Sequence, residues 1–248
     1  MDRLQKVIAN SGLCSRRKAE EMMLAGRVAV NDEIITTLGF KVRKGDTITV
    51  DGQALKHEDP EYYVLYKPTG CLSTVRDEHG RRTVLDYVKT EARIYPIGRL
   101  DYDSSGVLLL TNDGAFANVM MQPNSRIEKE YQVTIKGFLR RITSERLERG
   151  IKLDGVKTKR AKISQVLYLK DSGNTQLSIT ITEGKYRQVR RMFESVGHPV
   201  IRLKRVRYGI VTLDNLAKGE VRRLKPHEIK HLHQLTLRAT VSKPAPRR

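Results

Sequence analysis

Cysteine is scarce in this chain of 248 residues, and long apolar runs are missing. Cys14 and Cys71 are too far apart for a CxxC pair and too few to staple a secreted scaffold, so they read as free thiols in a reducing cytoplasm. The longest purely aliphatic stretch, Val107 to Leu110, falls far short of the roughly 20 residues that cross a bilayer. The N-terminal MDRLQKVIANSG interleaves charges with apolar residues and has no h-region, so the expectation is a cytoplasmic chain, neither secreted nor membrane-spanning. No GxxxxGK[ST], GxGxxG or GxSxG string occurs, which removes nucleotide, dinucleotide and serine-hydrolase readings. Acidic charge is also in short supply. Asp and Glu number 28 against 47 Lys and Arg, a net charge of +19 that argues for a polyanionic partner.

What is present suffices for folded cores, since 39% of the residues are hydrophobic. The charge excess is uneven. Residues 1–60 hold 10 basic and 9 acidic side chains, and nearly all of the surplus falls after them. The polar stretch 51–60, DGQALKHEDP, sits at the change and reads as a linker between a domain at 1–50 and another at 61–238, with a disordered basic tail at 239–248. In the first segment, Leu4, Val7 and Ile8 recur at helical spacing before Gly12. Ser15 is placed to cap a second helix that Gly26 stops, and Val28 to Val30 and Thr47 to Val50 alternate like strands. Seven strand-like stretches and three helix-like ones fill residues 61–212 without regular alternation. That order predicts an α+β domain around a mixed, largely antiparallel sheet rather than a doubly wound one.

His227-Glu228-Ile229-Lys230-His231 spells HExxH, but no acidic residue follows Glu228, and Gln234 and Leu237 stand where an extended metalloprotease pattern needs Gly and His. No metal site is expected there, only a C-terminal helix with Pro226 in its first position. Other clusters are harder to read as surface decoration. Arg16, Arg17 and Lys18 crowd the first turn of the second helix, where the macrodipole disfavours cations, which suggests a phosphate-binding face. GRLDYDSSG at 98–106 is a loop dense in small and charged residues between apolar strands, a setting that suits a catalytic acid at Asp101 as well as an ordinary turn aspartate. Between Lys185 and Arg207 stand eight basic residues and one acid. On a helix, Val189, Met192, Phe193 and Val196 form its buried stripe and leave Arg187, Arg190 and Arg191 to meet phosphates or one buried carboxylate.

Two resemblances follow from these strings. RLQKVIANSGLCSRRKAEEMMLAGRVAVNDEI is similar to the alpha-L RNA-binding domain of the ribosomal protein S-four type. GRLDYDSSGVLLLTNDG and EGKYRQVRRMFESVGHPVIRLKRVRYG, with YKPTG and KEYQV, resemble the signatures of ribosomal RNA pseudouridine synthases, in the branch with an S-four-like domain in front. Within it the chain looks closest to the B type of the large-subunit (23S) synthases. The resemblance implies isomerisation of a flipped-out uridine in that RNA, or in an assembly intermediate, by a monomer that needs no cofactor and no metal. It implies Asp101 as the essential acid, Arg190 as the cation keeping it ionised, Arg99 as support for the loop or nucleotide, and Tyr131 as the ring stacked on the target base. Arg16, Arg17, Lys18, Arg187, Arg191 and Lys204 are the expected RNA contacts, while Tyr102, Asp103 and Ser104 receive no chemistry. A small-subunit synthase and a non-catalytic ribosome-assembly factor are the alternatives.

Overall fold

A computed structural model describes residues 1–56, 58–122 and 125–241, with side chains up to residue 235. The chain divides into two compact units. The first is Met1–Glu61 with Lys89–Ile94 and Thr111–Gly114, and the second takes Tyr62–Val88, Tyr95–Leu110 and the chain from Ala115 onward.

In the first unit, β1 (Asp2–Arg3) leads into α1 (Leu4–Asn10), followed by α2 (Arg16–Leu24), β2 (Val28–Val30), β3 (Glu33–Ile34), β4 (Lys41–Val42), β5 (Ile48–Val50) and β6 (Gln53–Ala54). Ser15 caps α2 as its sequence position predicts, its Oγ accepting from the Lys18 amide at 3.1 Å. Asn31-Asp32 and Asp51-Gly52 each supply two residues at positive φ, the backbone twist that tight hairpins require. They join β2 to β3 and β5 to β6 in a sheet ordered β3-β2-β5-β6. Leu4 and Ile8 of α1, Ala19, Met22 and Met23 of α2, and Val28, Val30, Ile48 and Val50 of the sheet form one apolar core. The expected linker at 51–60 is therefore structured at its start. The Asp51-Gly52 turn folds the chain back so that Gln53 and Ala54 pair with Val50 and Thr49.

The second unit carries β7 (Tyr62–Lys67), β8 (Tyr95–Pro96), β9 (Ser105–Thr111), α3 (Gly114–Met121), β10 (Lys129–Lys136), α4 (Arg141–Glu148), β11 (Lys152–Leu153), β12 (Val156–Lys157), β13 (Lys162–Leu169), β14 (Asn174–Ile181), α5 (Gln188–Glu194), β15 (Val200–Tyr208), β16 (Val211–Thr212), β17 (Val221–Arg223) and α6 (Pro226–Val241). Its main sheet runs β13-β14-β10-β15-β9-β7-β17, with β8 and β16 paired at its margins. β10 is antiparallel to both β14 and β15, whereas β15 joins β9 in parallel, which makes the sheet mixed as expected. Val64, Ile97, Val107, Leu109, Phe116, Met120, Tyr208 and Leu232 lie in one core cluster, so α3 and α6 both pack on this sheet. Because α6 extends to Val241, residues 239–241 of the expected tail are helical, and 242–248 lie outside the described residues.

Gly106 marks the parallel junction. Its φ is +116°, and a Cβ there would come within 2.0 Å of the Arg205 carbonyl oxygen, so only glycine permits β9 to approach β15 this closely. Across that junction the register aligns Tyr131 of β10, Arg205 of β15 and Gly106 of β9 in one row. A β-bulge beside Tyr131 re-aims the strand at that point.

Candidate active site

The loop from Gly98 to Ser104 is tied down from several sides. Ser73 Oγ accepts from the Leu100 amide at 3.1 Å and donates to the Leu100 carbonyl at 2.8 Å. Beneath the loop lies Lys67, the last residue of β7, whose side chain is wholly buried. Its ammonium donates to the carbonyl oxygens of Pro68, Asp101 and Ser104 at 3.0, 3.0 and 2.9 Å, so all three of its protons are used. Burial pulls the Lys67 pKa below its ordinary value, opposed in part by neighbouring acidic groups that include the Asp101 and Asp103 carboxylates. A buried ammonium with three backbone acceptors stays in place because water offers it nothing better and the loop offers it everything.

Asp101 itself is reachable, with its side chain 26% exposed. Arg187 Nη1 approaches its Oδ2 at 3.7 Å and reaches the Asp103 carboxylate at 3.2 and 3.3 Å. Arg187 precedes α5 in the left-handed conformation, at φ 46° and ψ 33°, and its side chain does not cap the helix. Such a backbone state is unfavourable for a residue with a Cβ and persists where the surroundings over-determine it. Here the surroundings are explicit. Gln188 donates to buried Glu183 at 2.6 Å and accepts from the Lys185 amide at 3.0 Å, and Glu183 also accepts from the Lys159 amide at 2.9 Å. That clasp holds both flanks of the turn from which Arg187 projects.

Arg190 differs from its expected role. It is buried, and its Nη2 donates to the Asp103 carbonyl at 3.0 Å and to Ser104 Oγ at 3.3 Å, and lies 3.1 Å from the Asp103 carboxylate. Its Nη1 donates to the Val200 carbonyl at 3.1 Å, and its Nε is buried without a partner. No direct pair with Asp101 forms. The reason is reach: Arg190 rises from the first turn of α5 beneath the loop, where Asp103 and the backbone intercept it, while Arg187 stands one turn earlier at the mouth. Burial lowers the Arg190 pKa and Asp103 and Asp101 oppose that shift, so Arg190 responds to both carboxylates, to Asp103 more strongly. Burial raises the Asp103 carboxyl, and Arg187 and Arg190 more than offset it, leaving the net value below that of an ordinary aspartate. Asp103 and Ser104, given no chemistry from sequence, thus organise the cations around Asp101.

The other expected residues fall as follows. Tyr131 is buried on β10, in register with Arg205, whose Nε donates to the Val107 carbonyl at 2.7 Å and whose Nη2 is buried without a partner. Arg99 is exposed beside Asp101. Arg191 pairs with Asp154 at 2.6 Å, and the Lys204 ammonium lies 4.9 Å from the Tyr66 ring centroid. Arg16, Arg17 and Lys18 are exposed on α2, with Lys18 paired to Glu21 at 2.8 Å. Glu228 of the HExxH string is buried and held by Arg222 at 2.7 Å, which removes it as a metalloprotease base. Sequence reading missed Lys67 as a site residue; the available signal was a lysine ending the otherwise apolar strand YYVLYK.

A reachable carboxylate on a loop clamped by buried cations, at the parallel junction of a mixed sheet, is the arrangement of an enzyme that works through one acid. The chain belongs to the RNA pseudouridine synthase family: the model for RNA pseudouridylate synthase matches residues 61–195, and that for the S4 domain matches residues 2–48. It is an isomerase of that family with an S4 domain in front. It is 49% identical over 236 residues to ribosomal large subunit pseudouridine synthase B of Bacillus subtilis, covering 95% of this chain and 97% of that protein. The enzyme of the same description from Vibrio cholerae is 38% identical over 245 residues, covering 94% of this chain and 75% of that one. A solved pseudouridylate synthase superposes with a TM-score of 0.65 at 31% identity, covering 94% of this chain and all of the other.

Proposed function

We propose that this chain converts a uridine of large-subunit ribosomal RNA to pseudouridine, with Asp101 as the catalytic carboxylate. The observation that carries the assignment is the reachable Asp101 held 3.7 Å from Arg187 on a loop that Lys67 and Arg190 lock from below. Substrate and product have the same composition, so the reaction breaks the bond from sugar carbon to ring nitrogen, turns the uracil and forms a bond to ring carbon without net oxidation or added energy. An ionised carboxylate serves this chemistry as a nucleophile at the sugar or the ring, or as a base in an elimination route. Arg187 stands 3.7 Å from that carboxylate, and Arg190 fixes the neighbouring Asp103. Tyr131 supplies a flat face for the extruded uracil, and the row Tyr131, Arg205 and Gly106 supports it, because β10 and β9 flank β15 and so stand roughly 10 Å apart.

The likeness to two enzymes described as acting on the large ribosomal subunit supports the choice of RNA, and exposed Arg16, Arg17 and Lys18 supply a cationic face for docking it. A monomer in the cytoplasm is the accompanying reading; among the described residues no helix is long and apolar enough to cross a membrane. Pseudouridine mapping of ribosomal RNA from a strain lacking the gene tests the target, with loss at one or more large-subunit positions as the expected result. Tritium release from 5-tritiated uridine in transcribed RNA tests the acid. Asp101→Asn should abolish release while RNA affinity stays near that of the parent, and residual turnover within tenfold of wild type would remove Asp101 from its role.

A further inference from the structure

Two tyrosines that no step above uses stand at the mouth of this site. Tyr102 follows Asp101 and is 52% exposed, and Tyr186 precedes Arg187 and is 78% exposed. Asp101 and Arg187 approach to 3.7 Å, so each tyrosine is the chain neighbour of one member of the pair that meets at the candidate acid. Neither hydroxyl makes a hydrogen bond among the described residues. Both rings rise from anchored backbone. The Tyr102 carbonyl accepts from the Gly70 amide at 2.9 Å, and Tyr186 sits between Lys185 and Gln188 in the clasp that Glu183 closes. Cations neighbour each of them in the chain: Arg187 follows Tyr186 directly, and exposed Arg99 stands three residues before Tyr102.

An exposed apolar ring on a flexible tip would need no explanation. Two exposed rings on hydrogen-bonded turns, one next to the reachable carboxylate and the other next to the arginine that approaches it, match what a single-stranded nucleic acid requires: π-faces for bases, and positive charge for the backbone between them. We infer that Tyr102 and Tyr186 stack nucleotides that flank the target uridine, holding the strand open while the uridine meets Asp101. The inference rests on the reading of this site as the place of uridine isomerisation, and it makes the two tyrosines determinants of binding and local sequence context rather than catalytic residues.

The test uses the full chain carrying Tyr102→Ala, Tyr186→Ala, both together, and the two Tyr→Phe variants. Affinity for a fluorescein-labelled nine-nucleotide oligouridine is measured by anisotropy, alongside kcat and KM for tritium release from transcribed large-subunit RNA. Each alanine should weaken oligouridine binding and raise KM by about tenfold, with the larger change in KM than in kcat, because one base loses its stacking partner. The double variant should approach about a hundredfold, and phenylalanine should restore either site to within about twofold, since the ring and not the hydroxyl is used. The slope of log affinity against log salt should not change, which separates lost stacking from lost phosphate contacts. Alanine variants that bind as wild type does, or phenylalanine variants as weak as alanine, overturn the inference. If wild type fails to modify the large-subunit RNA while the alanines still lose oligouridine binding, the choice of target falls and the stacking role stands. If wild type modifies that RNA and the alanines change nothing, the stacking role alone falls.

Discussion

The cations of the two units are used in opposite ways. In α2 of the first unit, Arg16, Arg17 and Lys18 face solvent over a core made only of apolar side chains, and among the described residues between 1 and 61 the buried polar side chain is Gln5. In the second unit, Lys67, Arg190 and Arg205 are buried and each donates to at least one backbone carbonyl, Arg190 also meeting the Asp103 carboxylate. Exposed cations are free to meet a polyanion and are screened by salt. Buried ones are costly to desolvate and serve to hold one loop geometry rather than to bind anything. Charge of one sign therefore does not mean one function along this chain: position relative to solvent separates docking from positioning.

The comparison breaks most visibly at Lys67. Replacing it with Met leaves the carbonyls of Pro68, Asp101 and Ser104 unsatisfied, and the expected outcome is a loss of about 3 kcal/mol in urea unfolding with kcat lower by about a hundredfold. A variant as stable and as active as the parent would mean that the loop needs no clamp. The first unit offers the counterpart. Ile8→Ala, which empties space in its apolar core, should cost about 2 to 4 kcal/mol in the unfolding of that unit and leave kcat within about twofold once RNA is saturating.

Asp103→Asn sharpens the contrast within the site. It releases Arg187 and Arg190 from their shared anchor and should cut kcat by about tenfold, short of the total loss expected at Asp101. Its pH dependence has a defined sign. The folded Asp103 value lies below the ordinary one, so its contribution is present above about pH 4 and fades as the pH falls through the folded value. The stability gap between wild type and Asp103→Asn, followed by urea midpoints, should narrow on acidification below that point. The smallest effect is expected at the surface. Changing Arg16 and Arg17 together to Gln should flatten the slope of log affinity against log salt by about 1.5 units, with unfolding midpoint and pH profile unchanged. A shifted pH profile in that double variant would contradict the division of labour.

Much of this was legible in the chain itself because the signals are local. Ser15 as a cap, the alternation at Val28 to Val30 and Thr47 to Val50, and Pro226 at the start of α6 each depend on neighbours a few residues away. The strings around Asp101 and Arg190 likewise marked one site from two distant stretches. Asp51-Gly52 opens the stretch expected to be a linker, yet it is a hairpin turn, because only strand pairing shows that the chain comes back.

Sequence alone therefore determined the elements, the α+β class, the family and the loop on which the reachable acid sits. Tertiary structure decided which cation serves which acid. Arg187 and Arg190 lie three residues apart, and no periodicity tells which of them reaches Asp101 at 3.7 Å and which is intercepted by Asp103. That outcome depends on the left-handed turn at Arg187 and on the depth of α5 beneath the loop. Lys67 is the plainest case: it lies 34 residues before Asp101, and only when β7 and β9 are folded into one sheet does its buried ammonium reach the loop's Asp101 and Ser104 carbonyls.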